Sequence, residues 1–585
     1  MRESTVLSGM PGAAPPASRR YIPLIKEVCF AAVFLLAAIM VYDKCRYGFA
    51  SVDECFYLLT PIRLHQGDAL FGQEWHLSQT SSVLLLPIVR AFFLLTGSTD
   101  GIILTMRFIC TTVQLLTSLF LYFRFRKICW SGAALASISF LLYTPFGIMA
   151  LSYNSMGILF LSLALILFST SVRHFRAQSI LSGIFLSAAV LCCPYLAVLY
   201  VLYGFAVLYI NHKNPPKADS LWSVSRFAFF SVGVAVSALA FVAFVLSRAS
   251  SQEILQALPY IFSDSEHPRI SLADKVAEYF RSILEISPLS KPITFFLLLL
   301  FIICSIDRNR AGHPLIYAIP ALLSVSLLLR DYAVAIPYIN LFMWPVNLLP
   351  PLILLLSGSR QIHRLFFSFY LPGILYSFCL NLSSNQQFYA ISSASSVATI
   401  ASIVILCLFA SEWPSLRVPK LLRFLSTVCL CAVFLLQFKY QSELRYQSLF
   451  WAGRLSEQTG YIDEGAYKGL YVSEDREKTY ADSMKQMESL AQYAQPDDHV
   501  LILSQNTWYY LMIDYRIGAY SGWLSGINAS TIDRLEAYYS LNPDKIPDVV
   551  WVDPGYHVAA QTFADRFHYA VQPVENGIIL TRLPQ

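Results

Sequence analysis

The distribution of apolar positions divides the chain into two parts. Long apolar runs recur from about residue 22 to 438, and shorter runs separated by charged residues follow from Lys439 onward. About 20 consecutive apolar residues make a helix that crosses a bilayer. The runs therefore predict a polytopic α-helical membrane domain of about 13 spans over 22–438, after a cytoplasmic tail over 1–21. They lie near 28–42, 100–123, 130–150, 153–171, 177–192, 195–210, 224–247, 292–306, 313–330, 334–357, 364–381, 387–410 and 419–438.

The remaining residues, 439–585, have the pattern of a soluble α/β domain. Helical and strand periods alternate there, and the segment has no glycine-rich phosphate loop, no HExxH and no GxSxG motif. We therefore expect the chemistry to lie outside this domain. The predicted elements are helices over 474–494 and 529–541, strands His499–Leu503 and Val549–Val552, and a closing strand pair near 568–572 and 577–581.

Residues 79–97 decide the orientation of every later span. If this apolar segment lies in the membrane interface, all six clusters of Lys and Arg between later spans face the cytoplasm, as the positive-inside rule requires. Pro87 and Arg90 also suit an interfacial helix better than a mid-bilayer one. We therefore predict external loops over 43–99 and 248–291, juxtamembrane helices within them, and an extracytoplasmic C-terminal domain.

Composition and charge support this division. The chain is 56% hydrophobic and 14% charged, against about 25% charged residues in soluble proteins. From Lys439 onward it carries 12 Lys and Arg against 19 Asp and Glu, so the net charge of +5 divides into +12 for the membrane part and −7 for the rest. Nucleic-acid binding is not expected. The twelve cysteines have no metal-binding spacing, and the sequence leaves open whether Cys45 and Cys55 pair.

The first external loop holds the candidate chemistry. Adjacent carboxylates at a bilayer surface are costly, although acids also simply favour a helix start. Such carboxylates can accept a proton from an attacking hydroxyl or hold a divalent cation. A lone Glu-x-His pair is a possible metal-binding element or an ordinary solvated loop pair. The loop residues concerned are Asp53, Glu54, Tyr57, Gly67-Asp68, Glu74, His76 and Gln79.

Several short motifs in this order resemble the GT-C class of membrane glycosyltransferases, in particular lipid A aminoarabinose transferase and the protein O-mannosyltransferases. The DExxY motif is matched by Asp53, Glu54 and Tyr57. The other matches are Gly67-Asp68, Pro87 with Leu95-Thr96-Gly97, Arg107 at the next span, and Arg330 with Pro337-Tyr338.

The resemblance implies a GT-C-like fold and an inverting transfer of a sugar from a polyprenyl-phosphate donor at the outer face of the cell membrane. It implies Asp53 and Glu54 as catalytic residues, with Asp53 as the acid/base. Arg330 would pair with the leaving phosphate, or would be a snorkelling anchor. Substrate contacts are expected from Tyr57, His76, Gln79, Asn154, Arg330 and Tyr338.

The resemblance leaves two alternatives for a metal ion. Many relatives carry an acid where this chain has Tyr153-Asn154, so a divalent ion at Glu74 and His76 remains one option and no cofactor the other. The acceptor, whether glycan, lipid or protein, is not readable from the sequence. Two other functions stay open: a glycolipid transporter or flippase, which needs polar groups near mid-membrane, and a non-catalytic membrane scaffold.

Overall fold

The computed structural model describes residues 17–50, 52–170, 174–262, 270–285, 290–306, 319, 343–384, 388–412, 419–449, 452–524 and 526–583. Within these residues, ten helices are long and apolar enough to cross a membrane, and three shorter apolar helices accompany them. The chain is thus a polytopic helical membrane protein with a C-terminal domain that contains a sheet. The predicted span at 313–330 and the first part of that at 334–357 lie outside the described residues, apart from position 319.

The helices of the membrane part and its loops are as follows. They are α1 (Ala17–Lys44), α2 (Asp53–Gln66), α3 (Ser82–Thr96), α4 (Ile102–Phe125), α5 (Trp130–Leu141), α6 (Tyr153–Thr170), α7 (Phe175–Cys192), α8 (Ala197–Lys213), α9 (Val224–Leu246), α10 (Ser251–Ile261), α11 (Leu272–Glu285), α12 (Ser290–Ile306), α13 (Met343–Leu356), α14 (Arg360–Ser383), α15 (Phe388–Glu412) and α16 (Lys420–Gln447). One helix is shorter than predicted: the run at 130–150 is helical only to Leu141, and a turn at Pro145–Gly147 follows because proline cannot continue the hydrogen-bond ladder.

Contacts between helix ends define two faces of the membrane part. At one end, which we call the basic face, Arg126 of α4 pairs with Glu27 of α1 at 3.1 Å. At the other end, the domain face, the Lys44 ammonium donates to the carbonyl of Tyr446 at 2.7 Å, where α16 enters the C-terminal domain. The described spans alternate between these faces, so their basic clusters lie opposite the C-terminal domain.

Helix α3 lies along the domain face. Before its first turn, the Thr80 hydroxyl donates to the carbonyl of Leu191 at 2.5 Å, at the domain-face end of α7. After its last turn, the Thr99 hydroxyl donates to Leu511 of the C-terminal domain at 2.8 Å. A helix with both ends at one face does not cross the bilayer, even though its length and composition would permit this. This placement agrees with the predicted interfacial helix.

The C-terminal domain is built on a five-stranded sheet in the order β6-β5-β7-β9-β8. Strand β5 is parallel to β6 and β7, and β9 is antiparallel to β7 and β8. The central strands are apolar because both faces of the sheet are covered, and all four residues of β7 are buried. The elements are β1 (Ser448–Leu449), β2 (Gly453–Arg454), β3 (Gly460–Tyr461), β4 (Tyr471–Val472), α17 (Glu474–Leu490), β5 (His499–Leu503), β6 (Arg516–Ile517), α18 (Ala529–Leu541), β7 (Val549–Val552), α19 (His557–Phe567), β8 (Tyr569–Val574) and β9 (Gly577–Arg582).

The first loop of the domain face is packed into this domain and shares its hydrophobic core. The Trp75 ring is fully buried, stacks on Tyr260 at 5.1 Å and meets the edge of Tyr538 at 5.0 Å. The Trp75 amide also donates to the carbonyl of Tyr520 at 2.8 Å. The loop between α1 and α4 is therefore held between the membrane helices and the C-terminal domain.

Candidate active site

Asp53 is the first residue of α2, which follows the end of α1 at Lys44 after a short connection on the domain face. Burial and the charge of the neighbouring Glu54 raise the pKa of the Asp53 carboxyl from 3.8 to about 6, while a hydrogen bond from the Tyr57 hydroxyl opposes the rise. Tyr57 reaches the carboxyl because positions four apart share a helix face. Among the described residues, no Lys, Arg or His forms an ion pair with Asp53.

Glu54, the adjacent acid, has a different environment. Its side chain is buried and forms a bidentate ion pair with Arg107 near the start of α4, at 2.5 and 2.9 Å. The same guanidinium donates to the carbonyls of Cys45, Tyr47 and Gly48. These bonds tie α1, α2 and α4 together at the domain face. Both carboxylate oxygens of Glu54 thus accept from Arg107, and this ion pair holds the start of α2, where Asp53 lies. The catalytic role expected of Glu54 remains a prediction, and these contacts do not support it.

The start of α6 faces this group. The Tyr57 ring meets the edge of Tyr153 at a centroid distance of 5.8 Å. The next side chain, Asn154, is 5% exposed, and its Oδ1 atom has no hydrogen-bond partner within the described residues. A buried amide oxygen without a partner is costly unless a ligand or water supplies a donor. Asp53 and Tyr57 therefore lie against Tyr153, and the predicted residue Asn154 follows Tyr153 at the start of α6.

His76 and Gln79 follow α2 in the first loop of the domain face. Gln79 accepts from the Phe71 amide at 2.7 Å, while its buried Nε2 atom has no acceptor in the described part of the chain. His76 accepts at Nδ1 from the Ser78 hydroxyl, 2.8 Å away. The His76 ring packs on Phe56, the neighbour of Tyr57, at 4.5 Å. The structure thus places His76 on the flank of the Asp53 group, whereas Gln79 contacts Phe71 and the backbone of His76.

Trp523 of the C-terminal domain covers this flank and was missed by the sequence analysis. Its ring lies 5.3 Å from Phe56 and 6.2 Å from His76. It lies in a segment without regular periodicity, so no local signal marked it. The C-terminal domain therefore contributes a side chain to the wall of the site.

A buried network of four charges fixes the loop below the site. The fully buried Arg63 guanidinium pairs with Asp68 at 2.7 Å and with Glu74 at 3.0 Å, and Lys545 of the C-terminal domain pairs with Asp68 at 2.6 Å. Burial opposes ionisation of Asp68, but Arg63 and Lys545 together hold its pKa below the ordinary value. Two positive and two negative charges balance, so the network joins loop and domain without net charge.

The Glu74 carboxylate forms part of this network and is not available as a metal ligand. Its Oε2 atom accepts from Arg63, and its Oε1 atom accepts from the backbone amide of His76 at 3.1 Å. Within the described ranges, no group of three or more His, Cys, Asp or Glu side chains is suited to a metal ion. The Glu74 and His76 metal site stays a prediction, and the contacts of Glu74 do not fit it.

Three remaining predictions have different outcomes. Cys45 and Cys55 are buried free thiols; Cys45 interacts with the Thr111 hydroxyl at 3.1 Å and Cys55 with that of Tyr467 at 2.6 Å. Arg330 and Tyr338 lie outside the described residues, so their predicted roles in binding the phosphate and the substrate stay predictions.

Comparison with known proteins gives structural likeness only. No protein-family model and no curated protein sequence matches the chain. A structure of ArnT from Cupriavidus metallidurans bound to undecaprenyl phosphate is similar at 12% identity, covering 95% of this chain and 99% of that one, with a TM-score of 0.39. The archaeal oligosaccharyltransferase AglB from Archaeoglobus fulgidus, in complex with an inhibitory peptide and a dolichol-phosphate, is similar at 11% identity, covering 95% and 74%, with a TM-score of 0.41. ArnT, a lipid A aminoarabinose transferase, is a member of the class that the motifs of this chain resemble.

Proposed function

We propose that the protein transfers a glycosyl group from a polyprenyl-phosphate carrier to an acceptor at the extracytoplasmic membrane surface, with Asp53 as the general base. One observation carries the proposal. Asp53 is a partly buried carboxyl at the membrane boundary, its pKa is raised to about 6, and no cation of the described residues neutralises it. A base with a pKa near the working pH is ionised and still able to take up a proton.

The proposed reaction is a single displacement. Asp53 takes the proton of the acceptor hydroxyl or amine, and the acceptor atom bonds to the anomeric carbon of the donor. The bond between that carbon and the phosphate oxygen breaks, and the electron pair leaves with the polyprenyl phosphate. One displacement inverts the configuration at the anomeric carbon. The lipid tail stays in the bilayer throughout, which suits a base at the membrane boundary.

The surrounding residues have supporting roles in this proposal. The unpartnered Asn154 Oδ1 and Gln79 Nε2 atoms offer one acceptor and one donor to sugar hydroxyl groups. Tyr57 orients the Asp53 carboxylate through its hydroxyl. His76 and Trp523 form an aromatic wall, a surface on which sugar rings commonly pack through their apolar faces. No step of this reaction uses a metal ion.

The test is donor cleavage in proteoliposomes that contain the full chain, a labelled polyprenyl-phosphate sugar and a cell-envelope acceptor extract. We expect Asp53→Asn to lower release of polyprenyl phosphate at least about 100-fold, the usual loss when a general base is removed. Asp100→Asn is the matched control, because Asp100 is an exposed acid of the same face. Wild-type release by Asp53→Asn would refute the assignment, and donor crossing the bilayer uncleaved would favour the flippase.

A further inference from the structure

A cavity lies among the membrane helices, and Asp53 is not part of its lining. It opens between α6, α7, α8, α9 and α14 and has a largely apolar lining that includes Leu165, Leu202 and Leu375. Its volume of about 140 Å³ is close to the ~150 Å³ of an apolar cavity that admits benzene. The cavity therefore has room for part of a hydrocarbon chain.

The cavity continues into a polar mouth at the basic face. The mouth has a volume of about 410 Å³ and is lined by Arg360, His363, Arg364 and Asp219. Trp222 and Phe367 line both the mouth and the apolar cavity, so the two spaces adjoin. The combined space is apolar toward the middle of the bilayer and cationic at its surface.

Charge at the mouth favours an anion. A third arginine, Arg226, is fully buried behind it; its guanidinium lies over the Phe168 ring at 5.2 Å and donates to the carbonyl of Asp219 at 3.4 Å. The Nε atom of Arg226 has no acceptor among the described residues. Among the described residues that line or back the mouth, the three arginines outnumber the single acid, Asp219.

Helix α14 contains a π-helical turn where it lines the cavity. Residues Phe366–Tyr370 form a π-helical turn, which contributes Phe367 and Ser368 to the lining. Such turns are rare and occur often at functional sites, because the wider turn displaces side chains from the regular helix face. Here it coincides with the junction between the cationic mouth and the apolar cavity.

We propose that this space binds an anionic phospholipid of the leaflet at the basic face, with the phosphate at Arg360 and Arg364 and an acyl chain in the apolar cavity. Basic pockets between membrane helices are suited to acidic lipid headgroups. The site is separate from Asp53: α6 contacts the Asp53 group at Tyr153 and first lines the cavity at Ala164, about 17 Å along the helix.

The test is native mass spectrometry of the full chain released from nanodiscs of equal dioleoylphosphatidylglycerol and dioleoylphosphatidylcholine. We expect one retained phosphatidylglycerol in the wild type. The double change Arg360→Gln with Arg364→Gln should lower its apparent affinity by roughly 10- to 30-fold. Arg176→Gln, an exposed arginine of the same face outside the mouth, is the matched control and should retain the lipid.

A second pair of variants tests the apolar half. Ala206→Trp fills the cavity and should abolish retention, whereas Leu208→Trp on the lipid-facing side of α8 should not. Equal retention of phosphatidylglycerol and phosphatidylcholine by the wild type would overturn the proposal. Unchanged retention of phosphatidylglycerol in both the Arg360→Gln, Arg364→Gln variant and Ala206→Trp would also overturn it. So would binding of soluble glycerol phosphate that Ala206→Trp leaves unaffected, because that result would identify a free-anion site without a lipid chain.

Discussion

Replacing Asp53 by asparagine should stabilise the protein while it removes activity. The environment of Asp53 raises the pKa of its carboxyl from 3.8 to about 6, so folding at neutral pH forces an ionised group into a site that disfavours the charge. A shift of about two units corresponds to ~3 kcal/mol. Because the side chain is partly exposed, we discount this to about 1–2 kcal/mol.

The pH dependence of this stability change provides a control for the melting-temperature measurement. A carboxyl whose pKa is higher in the folded state contributes full stability below the unfolded value, here 3.8, and loses it as the pH rises through about 6. The melting temperature of Asp53→Asn in detergent should therefore exceed that of the wild type by a few degrees at pH 8. The difference should shrink toward zero near pH 4, where both side chains are neutral.

The neighbouring acid supplies the contrasting variant. Glu54→Gln leaves the buried Arg107 without its carboxylate partner, and breaking a buried ion pair costs roughly 3–5 kcal/mol. This variant should melt lower than the wild type at pH 8. If Asp53→Asn were also destabilised, or if its gain were the same at pH 4 and pH 8, the reasoning about the two acids would be refuted.

Three further predictions concern the support of the site and of the membrane fold. Lys545→Met leaves Asp68 with one cation instead of two, and we expect faster limited proteolysis of the C-terminal domain together with a loss of roughly 3 kcal/mol, measured by thermal unfolding. Gly183→Ala would make the new Cβ atom overlap the backbone of the facing helix α9, so we expect a lower melting temperature from the separated helices. Tyr57→Phe removes a hydrogen bond that lowers the pKa of Asp53, so the midpoint of the pH–activity curve should move upward.

Much of the fold was predictable because its signals are local. Apolar runs of spanning length predicted the described membrane helices, and the apolar segments His499–Leu503 and Val549–Val552 became the central strands with the predicted bounds. Helix ends were less predictable where a proline interrupted an apolar run, as after Leu141. The two-residue strands β1 to β4 have too few positions to show any period.

The different roles of the acids in the site were not predictable, because these roles depend on partners that are distant in sequence. Asp53 and Glu54 are adjacent acids with the same local context, and only the approach of Arg107, 53 positions beyond Glu54, separates their environments. Asp68 was identified as part of a motif, but its partner Lys545 is 477 positions away. Sequence periodicity reports which face a residue occupies and carries no information about such contacts.

The pH dependence of donor cleavage shows whether Asp53 acts as the base. Initial rates of polyprenyl-phosphate release in proteoliposomes would be measured from pH 5 to pH 8 for the wild type and for Asp53→Asn. General-base catalysis by Asp53 predicts a wild-type rate that rises about tenfold per pH unit below about 6 and then levels off, with the variant at background throughout. A wild-type rate that does not change through pH 6, or a variant that follows the wild-type curve, would contradict it.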